Sequence, residues 1–339
     1  MLRTRRFWIG LAVSLAFLAF FVFRTDLSRM QQALGEANYA FVAPAILVYF
    51  VGVGFRAIRW HYLLRPLKDV PSRSLFPVVV IGYMANDIVP LRIGELVRAY
   101  ILGEKEKLSK TAVLGTVAVE RMFDGLTLIF FMAVVSLFLP LPGFLGDFVR
   151  PMAALFIGAL VVLFVVASSE ALMDRVLGLV PGKIGEQIRQ TAGLFLLGLR
   201  VMRSPRCLVA VFVFSCLAWL IEAATFWIVG LSFSLSQPYH VMVLATAASN
   251  LAITLPSSPG GIGPFEVLCR ETVVLFGTDG AVAAAFALVL HFAVLLVPVI
   301  ILGFFYLWLE NMSLAQIVRR RDPAARVDSG LCIVEEEKD

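Results

Sequence analysis

The chain has 339 residues, of which 60% are hydrophobic and only 16% charged, with a mean hydropathy of +0.89 and a formal net charge of +5. Soluble domains sit near half apolar and a quarter charged, so this composition excludes a soluble catalytic domain and makes the bilayer the solvent of the fold. The basic balance does not mark a nucleic-acid binder, because the lysines and arginines are scattered among short segments between apolar runs.

The first predicted element is an apolar helix at about 7–23, behind Arg3, Arg5 and Arg6. It resembles a signal peptide, but Phe20-Phe21-Val22-Phe23-Arg24 offers no small-residue cleavage site, so it reads as a retained span. A second span covers about 39–58. The next apolar stretch, Leu75 to Pro90, is interrupted by Pro77, Gly82, Asn86, Asp87 and Pro90, and leads into the basic stretch Arg92 to Lys110. A full crossing would put that basic stretch outside, against the positive-inside rule, so 75–100 is expected to be a re-entrant hairpin entered from the cytoplasm.

Further spans are expected at 111–139 and 151–168, then 207–233 after the basic, amphipathic connection Ser169 to Arg206. That connection reads equally as a segment on the anionic inner surface or as a solvated linker. Residues 241–277 form a second expected re-entrant hairpin, since Pro256, Pro259, Gly260, Gly261, Gly263 and Pro264 forbid a continuous helix. A last span at 281–309 precedes residues 311–339, expected to be a disordered cytoplasmic tail.

The expected fold is therefore an all-α integral membrane bundle of about six full spans and two re-entrant helical hairpins. Its charge ledger places 24 of 29 basic residues on the cytoplasmic side, which predicts a multi-pass protein of the inner membrane with both termini inside. The count puts Arg56 and Arg59 in a cytoplasmic loop and leaves Arg121 and Arg270 at membrane depth. The hairpin tips also match in type: Asn86, Pro90, Gly94, Glu95 in the first, and Asn250, Pro256, Gly263, Glu266 in the second. Since the first half (1–145) starts from the cytoplasm and the second (151–310) from outside, the pattern predicts an inverted-topology repeat.

Charges inside the apolar runs mark the candidate site. Glu120, Arg121 and Asp124 lie ~15 Å along their helix, where an unpaired charge costs ~2.5–3.5 kcal/mol, so they should face a bundle interior or an aqueous cavity. Arg92, Glu95 and Arg98 follow Pro90 at spacings of three, suiting a helix N-terminus that holds an anion such as a lipid phosphate. Glu266 follows glycines that permit a sharp bend. Glu222 and His291, each at mid-span, are secondary candidates. The stretch Gly178 to Ile184 fails as a phosphate loop, having three residues between its glycines and Ile where Ser or Thr is needed. The four cysteines show no metal spacing, and no catalytic residue, metal or cofactor is predicted.

Taken in order, Arg59-Trp60, Asn86 to Pro90, Arg92-x-Gly94-Glu95-x-x-Arg98, Glu120-Arg121-x-x-Asp124 and Pro256 to Glu266 resemble the lysylphosphatidylglycerol synthase transmembrane-region family, also called flippase-like. The resemblance implies a membrane domain that moves lipids between leaflets. Two-domain members carry a soluble transferase, and the segment after the last span is too short for one, so synthase activity is not expected. The expected function is a lipid translocator with Arg92, Arg98 and Arg121 on the phosphate of an anionic phospholipid or polyprenyl phosphate. Glu95, Glu120, Asp124 and Glu266 would balance those arginines, bind a cationic headgroup or relay protons. Two alternatives stand beside it: an enzyme of lipid headgroup or glycolipid modification, and a membrane subunit that positions a separate transferase.

Overall fold

The computed structural model describes residues 5–89, 93–137, 143–168, 192–254 and 258–310. The regular structure among them is helical. Each of the six intervals read as spans holds one helix: α1 (Arg5–Phe23), α3 (Val42–Leu64), α6 (Lys110–Ser136), α7 (Gly143–Ser168), α9 (Pro205–Ser232) and α12 (280–309). A short helix, α8, occupies 192–199. Three of the chain's helical stretches are long and apolar enough to cross a membrane: Tyr39–Leu64, Pro205–Ser232 and Gly280–Leu309, with mean hydropathies of 2.0, 2.3 and 2.8. The protein is an all-helical membrane protein. Pro90 to Arg92, Pro256, the rejected phosphate-loop stretch and the tail lie outside the described residues.

The charge ledger places Arg24 and Arg29 in an outer connection, but the structure folds much of it into α2 (Leu27–Glu36), turned 84° from α1. Asp26 supplies the cause, because its carboxylate accepts from the Ser28 and Arg29 amides and starts a new helix. The Ser28 hydroxyl first, and then the backbone amides, hold this exposed carboxyl below its ordinary range. Arg270 then fastens the corner: its guanidinium donates to the Arg24 and Gly280 carbonyls at 2.7 and 3.2 Å, joining α1 to the later helices.

Both interrupted segments are helix–break–helix hairpins. The first pairs α4 (Ser72–Ile88) with α5 (Gly94–Glu106), and the second pairs α10 (Tyr239–Ala252) with α11 (Pro264–Leu275). Missing side chains let the first hairpin close. A Cβ on Gly94 would fall 2.0 Å from the Gly82 carbonyl, and one on Gly82 would fall 2.4 Å from Cγ of Arg98. In the second, Gly260, Gly261 and Gly263 have φ of +71°, +73° and +101°, values that side chains tolerate poorly.

A central pair of helices, α3 and α9, is the frame against which the hairpins pack. Their polar side chains keep to one stripe on each helix: Tyr49, Arg56, Arg59 and Trp60 on α3, and Ser215, Trp219 and Glu222 on α9. Gly52 permits the close approach, with its Cβ position 3.4 Å from the Ala218 carbonyl oxygen. Arg56 and Arg59 are therefore interior residues, 4% and 0% exposed. The extension of α3 to Leu64, nearly two turns past its expected end at 58, brings Arg59 into the helix, and Arg56 lies within the expected span itself, so the loop assignment of both is corrected.

Candidate functional site

The intramembrane charges of α6 sit at the centre of an ion-pair network. Glu120, fully buried, receives two parallel hydrogen bonds of 2.8 Å from Arg98 of α5. This bidentate geometry is the strongest that a carboxylate and a guanidinium make. The path of Arg98 to it crosses the bare Cα of Gly82, and its guanidinium lies 4.1 Å over the Trp60 ring. Trp60 is held in turn by donating to the Thr116 hydroxyl at 3.1 Å.

Asp124, one turn further along α6, is bound by Arg59 at 2.6 Å, by the Trp219 indole N–H at 3.2 Å and by Arg121 at 3.5 Å. Arg59 also donates to the Ser215 hydroxyl at 2.9 Å and lies 3.3 Å from Glu120. Arg121 reaches Glu95 of the first hairpin at 3.0 Å. Asn86 completes that hairpin's break, accepting from the Gly94 amide at 2.7 Å and donating to Glu95 at 3.3 Å.

A second pair bridges the frame helices, with Arg56 and Glu222 at 2.5 Å and the guanidinium 4.5 Å over the Trp219 ring. Asn250 of the second hairpin donates to the other Glu222 oxygen at 2.8 Å. Glu266 follows a different pattern. One oxygen caps α11 by accepting from the Gly263 amide at 2.7 Å, and the other lies 2.6 Å from His291 Nδ1. His291 sits in a π-helical stretch of α12, Val289–Leu296, whose wider turns re-aim side chains and often occur at functional sites.

Between the two hairpins lies a cavity of about 140 Å³. The first hairpin lines it with Tyr83, Asn86 and Asp87, and the second with Asn250, Gly260 and Phe265. Tyr49 and Arg56 of α3, Arg121 and Asp124 of α6, Trp219 and Glu222 of α9 and His291 of α12 supply much of the remaining wall. Such a lining of charge, amide, phenol and indole suits a polar group brought in from a membrane. Among the described residues, no group of three or more His, Cys, Asp or Glu side chains is arranged to hold a metal ion.

The structure thus brings Glu95, Arg98, Glu120, Arg121 and Asp124 into one network, and puts Glu266 beside His291 across the second hairpin. Arg56, Arg59, Tyr49, Tyr83 and Trp219 complete it without having been singled out as site residues. Their signal is the helical spacing of Tyr49, Arg56 and Trp60 along one face of an apolar run.

A bundle that buries three arginines, Arg56, Arg59 and Arg98, against three carboxylates, Glu120, Asp124 and Glu222, around a polar cavity walled by two broken hairpins, defines a class: polytopic membrane proteins with an intramembrane polar site. The chain belongs to the lysylphosphatidylglycerol synthase TM region family, which matches residues 7–303. It is similar to the protein named glycosyltransferase AglD of Haloferax volcanii, 28% identical over 93% of this chain, and spans 56% of that relative's length. It also resembles UPF0104 membrane proteins. One from Methanothermobacter thermautotrophicus is 27% identical over 76% of this chain and 81% of the relative, and one from Methanocaldococcus jannaschii is 24% identical over 86% and 92%. No solved structure matches the chain.

Proposed function

We propose that this protein is a lipid translocator of the inner membrane, which admits the polar headgroup of a phospholipid or polyprenyl-phosphate lipid into the cavity while its tails remain in the bilayer. The observation that carries this reading is the position of the cavity. It is polar, walled by both hairpins, and enclosed by helices whose outer faces are apolar. A headgroup crossing hydrocarbon requires such a polar, enclosed placement.

The geometry revises the division of labour among the charges. Arg98 and Arg59 are already bound to Glu120 and Asp124 deep in the bundle, so their role is to hold hairpin, span and frame together. Arg121 and Arg56 line the cavity, and they are the arginines we assign to a lipid phosphate. Asp87, Asp124 and Glu222 face the same space and would favour a cationic or hydroxyl-rich portion of the headgroup. An apolar groove between α1 and α11, lined by Phe17, Phe20, Val267 and Leu268, offers a seat for a hydrocarbon tail beside the second hairpin.

In this reading both hairpins are re-entrant, six helices span, and both termini face the cytoplasm. The halves form an inverted repeat whose exchange of conformations opens the cavity to alternate sides. A second reading, membrane component of glycolipid modification, draws on the name of the glycosyltransferase relative. The test is reconstitution into liposomes with headgroup-labelled fluorescent lipids and dithionite quenching of the outer leaflet. Wild type should expose inner-leaflet label, and Arg121→Gln should slow this at least tenfold. Wild-type vesicles that behave as empty ones for both phospholipid and polyprenyl-phosphate probes would turn the assignment toward glycolipid modification.

A further inference from the structure

The hydrogen bonds of the second hairpin require a proton that ordinary ionisation does not supply. His291 Nδ1 is 2.6 Å from Glu266 Oε1, and its Nε2 is 3.1 Å from the Gly260 carbonyl oxygen. The remaining Glu266 oxygen already accepts from the Gly263 amide. A neutral imidazole beside an ionised carboxylate has one N–H for these two contacts, so one of them would set lone pair against lone pair. Both are made only when the pair holds one further proton, on the ring or on the carboxyl. The side chains are 3% and 0% exposed, so an unmade contact carries its full desolvation cost.

We propose that His291 and Glu266 form a proton-binding site in the cavity wall, and that the bound proton holds the Gly260 turn in its observed place. The ring is oriented by Phe265, stacked on it at 4.1 Å, and Cys269 is the neighbouring thiol on the helix of Glu266. Across the cavity the titratable groups are Tyr49 and Arg56 of α3, Tyr83 and Asp87 of α4, Arg121 and Asp124 of α6, and Glu222 of α9. His291 lines this space, so a proton reaches the pair by the route that admits a headgroup.

Gly260 links the proton to the rest of the molecule. It lies where the second hairpin meets the first and α12: a Cβ on it would be 3.7 Å from the Asp87 carbonyl and 3.0 Å from Leu296. While the proton is bound, His291 Nε2–H holds the Gly260 carbonyl and the hairpins stay in contact. Loss of the proton as pH rises leaves one contact without a hydrogen and loosens the turn. The step moves a proton alone, with no covalent bond made or broken. Its use in transport rests on the translocator reading; the proton site does not.

Two measurements separate these claims. In a His61→Gln, His240→Gln background His291 is the sole histidine, and its ¹⁵N-labelled ring can be followed by NMR in lipid bilayers. We expect an Nε2–H on the carbonyl and a proton shared between Nδ1 and Glu266, lost in one step as pH rises, with that step absent in Glu266→Gln. A ring that keeps a single proton from mildly acidic to alkaline pH would overturn the site. In liposomes, an imposed pH gradient should change wild-type lipid redistribution several-fold and leave His291→Gln unaffected. Redistribution indifferent to the gradient would overturn the coupling. A titrating ring in vesicles that move no lipid would uphold the proton site and sink the translocator reading instead.

Discussion

The two hairpins end in the same residue types but use them in opposite ways. In the first, Asn86 closes the break and Glu95 and Arg98 are committed to Arg121 and Glu120. The ionic partners there are arginines and carboxylates, side-chain types whose reference values lie far from neutral pH. In the second, Asn250 reaches out to Glu222, and Glu266 turns back to cap its own helix and meet a histidine, the side chain that changes charge near neutral pH. Similar tips therefore give one electrostatic strut and one titratable latch. The difference lies in what the neighbouring helix presents: arginine on α6 and histidine on α12.

The comparison breaks most severely at Glu120. Glu120→Ala strands Arg98 in the core and leaves Arg59 to Asp124 alone, and we expect a loss of about 3–5 kcal/mol, measured by thermal unfolding in detergent. A melting temperature close to wild type would mean that the strut is not structural. On the latch, Glu266→Gln keeps the Gly263 cap but removes the charged partner of His291. The glutamine amide N–H supplies the hydrogen that the pair otherwise takes from a bound proton, so the substitution should change stability by less than about 1.5 kcal/mol and flatten the dependence of melting on pH, which Glu120→Gln should not do.

Backbone closure sharpens the contrast. Gly94→Ala drives a methyl group into the Gly82 carbonyl, for an expected penalty of about 1–3 kcal/mol and a displaced Arg98. Limited proteolysis between α4 and α5 would report the opened hairpin. The smallest effect belongs to Glu95→Gln: its pair with Arg121 is partly exposed, and the expected change in stability is below about 1 kcal/mol. Should Glu95→Gln prove as damaging as Glu120→Ala, the strut would have to be drawn around Arg121 instead.

Much of the architecture was legible in the sequence, because bilayer thickness and the penalty for bare backbone polar groups leave few choices. The apolar lengths marked the helices, and the cluster from Pro259 to Pro264 marked the second break, whereas Pro77 and Gly82, expected to interrupt the first hairpin, lie inside α4, which runs on to Ile88. Glu120 and Asp124 were legible as interior groups, since a charge on an apolar helix has to find a partner. Those partners were not legible. Arg56 meets Glu222 from 166 positions away, and a pairing of that range leaves no trace in one sequence. Arg56 and Arg59 also sit where an apolar run meets a basic stretch, so a rule that counts charges by side took them for topology markers. The π-helical turn that aims His291 has no compositional signature, and the 84° corner before α2 was signalled only by Asp26.

Arg56, Arg59, Arg98 and Arg121 are matched by Glu95, Glu120, Asp124 and Glu222, so as a group they carry no net charge. A transmembrane potential does work of ~2.3 kcal/mol per unit charge per 100 mV, and it does this only on charge that moves through the field. Rearranged as a unit, these eight side chains contribute no gating charge. The voltage across the membrane can then act through the cargo in the cavity or through a proton on His291, and a current recorded during turnover would report those rather than the protein's own charged scaffold.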